Sequence, residues 1–154
     1  MLKIKALHIH MFRIYKDRGF TFVAENGEIS PLVLISGGNG KGKTSIMDAI
    51  EWCFTGNVQH LNIPYEMRIK SDRRVGHSLG LLRNKDCKKT EKTWVELTLK
   101  EDGTESTIRR SITNNELGPE NTSLSIIQAG ETLAEESAHK WLAERFNSGD
   151  RPFA

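Results

Sequence analysis

Apolar and polar positions alternate over residues 2–11, with Leu2, Ile4 and Ala6 in one phase and Leu7, Ile9 and Met11 in the other. A period of two with one slip predicts an edge strand carrying a β-bulge. Phe20–Val23 predicts a second strand, closed by the turn signal Asn26-Gly27. After Pro31, the unbroken apolar run Leu32-Val33-Leu34-Ile35 has strand length and polar flanks, which predicts a central strand buried on both faces. The period then changes. Ile46, Ile50, Cys53 and Phe54 recur at helical spacing, so residues from about Lys43 to Thr55 predict a helix with one apolar stripe, stopped by Gly56.

Residues 57–92 show no clear period and read as loop with short elements. Order returns at Trp94: Val95, Leu97 and Leu99 alternate with Glu96 and Thr98, Asp102-Gly103 turns the chain, and Ser106–Ile112 resumes strand character, predicting an antiparallel hairpin. Leu124–Ile127 predicts another short strand ending at Gln128-Ala129-Gly130. Thr132 and Glu135 have the spacing of a capping box, and Leu133/Ala134, Ala138, Trp141/Leu142 and Arg145/Phe146 recur helically, predicting a second helix from there.

At 154 residues, one domain with its own core is expected. The composition, 37% hydrophobic and 27% charged, excludes disordered and fibrous classes. The longest wholly apolar run, Leu32–Ile35, is far below the ~20 residues of a membrane span, and the alternating N-terminus lacks the apolar stretch of a signal peptide. Cys53 and Cys87 fit a reducing cytosol, Cys53 as a small core residue. The net charge of +2 is unevenly spread. Residues 68–92 carry nine Lys/Arg against three acids, a net of +6, which leaves about −4 for the rest of the chain. Such a stretch either contacts a nucleic-acid backbone or is a solvated loop.

Gly37, Gly42, Lys43 and Thr44 satisfy G-x-x-x-x-G-K-[ST] between a predicted strand and a predicted helix, the context a P-loop requires. Glycines let backbone N–H groups turn inward and approach phosphate oxygens, and the helix N-terminus adds partial positive charge at the same place. Lys43 is expected to bridge the β- and γ-phosphates of ATP, and Thr44 to offer its hydroxyl to Mg²⁺. Asn39, Gly40 and Lys41 form the crown of the loop, where Lys41 either faces the phosphates or points to solvent. Ser45 either bonds the α-phosphate or simply begins the helix.

Leu7-x-Ile9-x-x-Phe12-Arg13, the stretch Gly-Gly-Asn-Gly-Lys-Gly-Lys-Thr-Ser-Ile-Met-Asp-Ala-Ile-Glu-Trp of residues 37–52, and Gln128 after Leu124–Ile127 together resemble the SMC/SbcC-like ATPases of DNA repair and antiphage defence. The part Asp48–Trp52 is the more specific, since many P-loop proteins share only the loop. The resemblance implies an α/β, ABC-ATPase-like P-loop fold: a mixed sheet with an antiparallel β-layer and flanking helices, residues 1–154 forming a single N-terminal lobe. It also implies that Gln128 is a Q-loop glutamine touching Mg²⁺ and the attacking water, against the alternative of a plain strand-end residue. Arg13 would lie near the nucleotide or DNA, against the alternative of an ordinary surface arginine. The partners implied are DNA, the protein's own C-terminal lobe, a second head in a homodimer and a nuclease or effector subunit, all in the cytoplasm and without a membrane. No Walker B strand or Leu-Ser-Gly-Gly type signature follows the P-loop, so ATP hydrolysis is expected of the full-length protein and not of this chain alone.

Two other function classes compete. A self-contained P-loop kinase or GTPase needs its own acceptor or base-reading motif, and Asn84-Lys85-Asp86 sets Asp one place too early for the guanine-reading Asn-Lys-x-Asp. A non-catalytic module would hold ATP as a structural switch. The histidines, His8 and His10 among them, lack metal-ligand spacing and are expected to be packing or surface residues.

Overall fold

The computed structural model describes residues 1–59, 82–113 and 122–146. Six strands, β1 (Leu2–Phe12), β2 (Tyr15–Thr21), β3 (Thr93–Glu101), β4 (Thr104–Ile112), β5 (Thr122–Gln128) and β6 (Glu131–Ala134), form one sheet in the order β2-β1-β3-β4-β5-β6. Every pairing is antiparallel. Helices α1 (Lys43–Thr55) and α2 (Glu136–Phe146) bury their apolar stripes in a single core.

The sheet follows directly from period-two patterning. Leu7 and Ile9 of β1, Val95, Leu97 and Leu99 of β3, Ile108 of β4, and Leu124 and Ile126 of β5 all fall on the buried face. Against them pack Ile46, Ala49, Ile50, Trp52 and Cys53 of α1 and Ala138, Trp141 and Leu142 of α2. Each fully buried Leu or Ile contributes about 1.5–3 kcal/mol of hydrophobic stabilisation. The register of β1 on β3 shifts between Ile4 and Ala6, just ahead of the Ala6/Leu7 step at which the alternation changes phase. The bulge is therefore as predicted, but β1 is not an edge strand: β2 covers its outer side. The second strand runs from Tyr15 to Thr21, earlier than Phe20–Val23, and Val23 joins an isolated bridge to Ile29 instead.

Two further expectations are corrected. The run Leu32–Ile35 is not a strand, and Leu32 and Leu34 are 82% and 87% exposed. Apolarity signals that burial is favourable, but a central strand also needs a hydrogen-bonded neighbour on each side, and no described strand pairs with this run. The parallel component of a mixed sheet is accordingly absent among the described residues, whereas the antiparallel layer and the flanking helices are present. Thr132 and Glu135 do not form a capping box, because Glu131–Ala134 is strand β6 and the helix begins at Glu136. Ala129 and Gly130 both have positive φ, 49° and 80°, the pairing of a type I′ hairpin turn, which returns the chain along β5 before a helix can start.

Candidate functional site

The segment leading into α1 is built around glycine. Gly40 and Gly42 have φ of 75° and 102°, left-handed values that side chains rarely tolerate. Lys41 N–H donates to the Gly38 carbonyl at 3.3 Å, and Ile46 N–H to Gly42 at 3.1 Å, so the loop turns tightly and passes straight into helix. Gly42 is the N-cap of α1, no side chain caps the helix and no acid stands in its first turn. The first N–H groups of a helix lack intrahelical acceptors, and here they sit at the positive end of the helix dipole without a neutralising carboxylate. Lys43 Nζ donates to the Gly37 carbonyl across the loop. Asn39, Lys41 and Thr44 are exposed around it. Side chains added at Gly37 or Gly38 would approach the lysine stems of the loop to 3.8 and 3.7 Å. These donors fit a polyphosphate anion, with Thr44 as the hydroxyl nearest to hand for a bound cation.

The turn between β1 and β2 grips this junction. Tyr15 donates its hydroxyl to the Gly42 carbonyl at 3.2 Å, and a Cβ at Gly42 would meet Ile14 Cδ1 at 2.7 Å and Tyr15 Cζ at 2.8 Å, so only glycine fits. Burial holds the Tyr15 phenol above its ordinary value, keeping it a donor. Arg13 Nη1 lies 3.1 Å from Asp48, a carboxylate only 3% exposed, and Arg13 Nε donates to Ser45 Oγ at 3.3 Å. Phe12 stacks on Trp52 with ring centroids 5.4 Å apart. The pairs Phe12-Arg13 and Asp48–Trp52, distant in the chain, thus touch each other side chain to side chain. Arg13 is a brace of α1, not a surface arginine, and Ser45 is turned toward it and buried.

At the other end of α1, Arg110 donates from Nε to the Cys53 carbonyl at 3.1 Å and from Nη2 to Phe54 at 3.4 Å. A cation is favourable at the negative helix end, although burial lowers the Arg110 pKa. Cys53 lies between α1 and the sheet, 3.6 Å from the Val95 carbonyl and 3.7 Å from Ile108, and burial pushes its thiol up to about 12.

Gln128 stands elsewhere. It pairs with Ser106, which faces Leu99, which faces Ile4, so it occupies the end of the sheet opposite the Arg13 turn. Its amide donates to Ser106 Oγ at 3.0 Å and accepts from Trp141 Nε1 at 3.4 Å. The structure therefore brings Gly37–Ser45 together with Arg13 and leaves Gln128 on another part of the molecule. His8 and His10 lie on the open face of the sheet, His8 2.5 Å from Asp17, and His10 3.2 Å from Glu91 and stacked on Trp94.

Tyr15, Asp48 and Arg110 do their work without having been singled out as individual side chains. A signal existed for Arg110: in Ile108-Arg109-Arg110-Ser111-Ile112 the period of two places it on the core face, where a charge needs a specific acceptor. Tyr15 follows Arg13 by two residues, but nothing local says that the turn folds over a loop 27 residues away.

Residues 6–149 match the protein family described as AAA domain. Among curated proteins, the DNA replication and repair protein RecF of Thermosynechococcus vestitus is 35% identical over 52 residues, 34% of this chain and 12% of the relative. With nearly the whole chain covered by the family match, this chain belongs to the AAA-domain family of SMC/SbcC-like ATPases whose motifs it carries.

Proposed function

We propose that this chain is the ATP-binding N-terminal lobe of an SMC/SbcC-like ATPase head that couples ATP-driven head dimerisation to DNA association. The observation that carries this reading is an uncapped, acid-free helix start entered through positive-φ glycines, with Lys43 and Thr44 as its first two residues. ATP and Mg²⁺ would supply the reacting phosphates and their counter-charge. Gly37–Gly42 and the first N–H groups of α1 would hold the phosphates, Lys43, which now donates to the Gly37 carbonyl, would neutralise the terminal ones, and Thr44 would offer its hydroxyl to the metal. Arg13 acts through Ser45 and Asp48, holding the helix start in place. Gln128 enters on sequence resemblance alone, and its bonds to Ser106 and Trp141 would have to be exchanged for it to reach a metal beside Thr44.

The strand-length run Leu32–Ile35, exposed at Leu32, Val33 and Leu34, supports a second lobe: flanking strands from a C-terminal lobe would cover it and complete a mixed sheet. That lobe, and a second head, would supply the catalytic glutamate and signature motif. DNA repair and antiphage defence, with a nuclease or effector subunit, are the settings in which such heads work, and the likeness to RecF favours repair.

The test is calorimetric titration of the chain with Mg-ATP. Binding that Lys43→Ala abolishes is expected, with no turnover above that control. Equal affinity in Lys43→Ala would remove the phosphate site, and steady hydrolysis by the chain alone would remove the half-site reading.

A further inference from the structure

The loop joining Leu82 to β3 is short, rich in lysine and unusually well tied down. Arg83 donates from Nη2 to the carbonyls of Lys88 at 2.7 Å and Glu91 at 2.9 Å, and from Nη1 to that of Thr113. Asn84, buried, accepts at Oδ1 from the Asp86 N–H at 2.9 Å, and its backbone carbonyl accepts from Cys87 N–H at 3.0 Å. Glu91 N–H closes a further turn onto Lys88 at 3.0 Å. One arginine and one asparagine thus satisfy the inner polar groups of the loop. Lys85, Lys88, Lys89 and Lys92 are all exposed on its outside. Of the two acids within it, Asp86 pairs with Lys16 at 3.0 Å, and Glu91 pairs with His10 at 3.2 Å while its other oxygen accepts from the Lys88 N–H at 3.4 Å. No carboxylate lies within ion-pair distance of any of the four lysines among the described residues.

The loop is also joined to the nucleotide side of the molecule. Asn84 Nδ2 donates to the Arg13 carbonyl at 2.8 Å, Arg13 N–H donates to Leu82 at 2.8 Å and Asn84 N–H to Met11 at 2.8 Å, so its base and the turn that grips α1 are one hydrogen-bonded unit.

We propose that this Arg83-braced loop is a docking surface for a nucleic-acid phosphate backbone, with Lys85, Lys88, Lys89 and Lys92 as its contacts. The proposal rests on the reading of a DNA-associated ATPase and names the surface that reading leaves unassigned. Lysine ammonium groups are hydrated point charges suited to a diffuse row of phosphates, whereas protein interfaces are depleted in lysine and centre on aromatic or apolar anchors. Residues 84–92 offer no such anchor: the single apolar side chain, Cys87, is half-buried. Four phosphate contacts predict a log–log salt slope of about −3.6, without sequence preference.

The experiment compares the unmodified chain with Lys88→Glu/Lys89→Glu and with Lys3→Glu/Lys100→Glu, an equal charge change at the opposite end of the sheet where these two residues face each other. Binding to mixed-sequence duplex DNA and to vesicles of anionic phospholipid is followed by fluorescence anisotropy and co-sedimentation over a salt series, with Mg-ATP affinity read on the same samples. The loop reversal is expected to weaken duplex binding at least tenfold and flatten its salt slope by about two, equally for unrelated sequences, leaving ATP affinity unchanged. The distal reversal is expected to have a small effect. Failure of the unmodified chain to bind duplex, equal losses in both variants, an unchanged slope, or loop-dependent binding to vesicles or an acidic protein in place of DNA overturns the proposal. ATP binding that persists through any of these results leaves the nucleotide reading standing, and its absence in the unmodified chain removes that reading instead.

Discussion

The hairpin of β3 and β4 and the segment 31–42 are equally plain in the sequence, yet among the described residues only the hairpin has its strand neighbours. From Thr93 paired with Ile112 to Glu101 paired with Thr104, each β3 residue faces a partner, and the inward positions are sealed by α1. Residues 31–36 have comparable apolar content but no strand neighbour among the described residues, and both of their leucines face solvent. Both regions obey the same hydrophobic chemistry. The difference lies in backbone hydrogen bonding, which must be met by specific neighbours and not by composition.

The largest effect that sharpens this contrast is expected at Trp52, fully buried against Phe12: Trp52→Ala should cost about 3–5 kcal/mol, measured by denaturant unfolding. Next is Gly42→Ala, which forces a side chain into the left-handed region against Ile14 and Tyr15. It should cost about 1–3 kcal/mol and lower Mg-ATP affinity, while Gly38→Ala leaves stability unchanged, and comparing the two unfolding midpoints decides it. Tyr15→Phe keeps the ring and removes the bond to Gly42, with an expected loss of about 0.5–1.5 kcal/mol and weaker nucleotide binding at unchanged secondary structure. Leu34→Ser should stay within about 0.5 kcal/mol and reduce self-association in sedimentation; a loss on the scale of Trp52→Ala would show that the segment is buried after all and break the comparison.

The smallest effect concerns acid. The hydrogen bond from His8 holds the Asp17 carboxyl below its ordinary value. A depressed carboxyl contributes stability that is complete above its unfolded pKa, near about 4, and is lost as pH falls through the lower folded value. Asp17→Asn should therefore flatten the acid limb of a stability–pH profile below about pH 4 and leave the neutral region unaltered.

How much was legible follows from which interactions are local. The bulge of β1, the α1 stripe with its stop at Gly56, and the Asp102-Gly103 turn depend on near neighbours, and all appear, the bulge just ahead of the Ala6/Leu7 slip. The position of β1 inside the sheet depends on β2, whose register runs from Ala6 facing Thr21 to Phe12 facing Tyr15, and period alone does not reveal it. At Thr132 two local rules competed: a capping-box spacing and a turn at Ala129-Gly130, and the turn prevailed because β6 continues the sheet ladder onto β5. In the site, the glycines and Lys43 were legible as a motif, while the Tyr15 bond to Gly42 joins elements that only the fold brings together.

Cys53 gives this fold a clock of its own. Thiol reagents attack the thiolate, and a thiol with a pKa near 12, sealed between α1 and the carbonyls of Val95 and Ile108, offers neither ionisation nor access at neutral pH. Alkylation of Cys53 must therefore wait until α1 lifts from β3 and β4, while Cys87, half-buried beside Arg83 and outside that seal, supplies the comparison in the same tube. Timing the first against the second by mass spectrometry would show whether bound nucleotide fastens the helix to the sheet, with no label added to the protein.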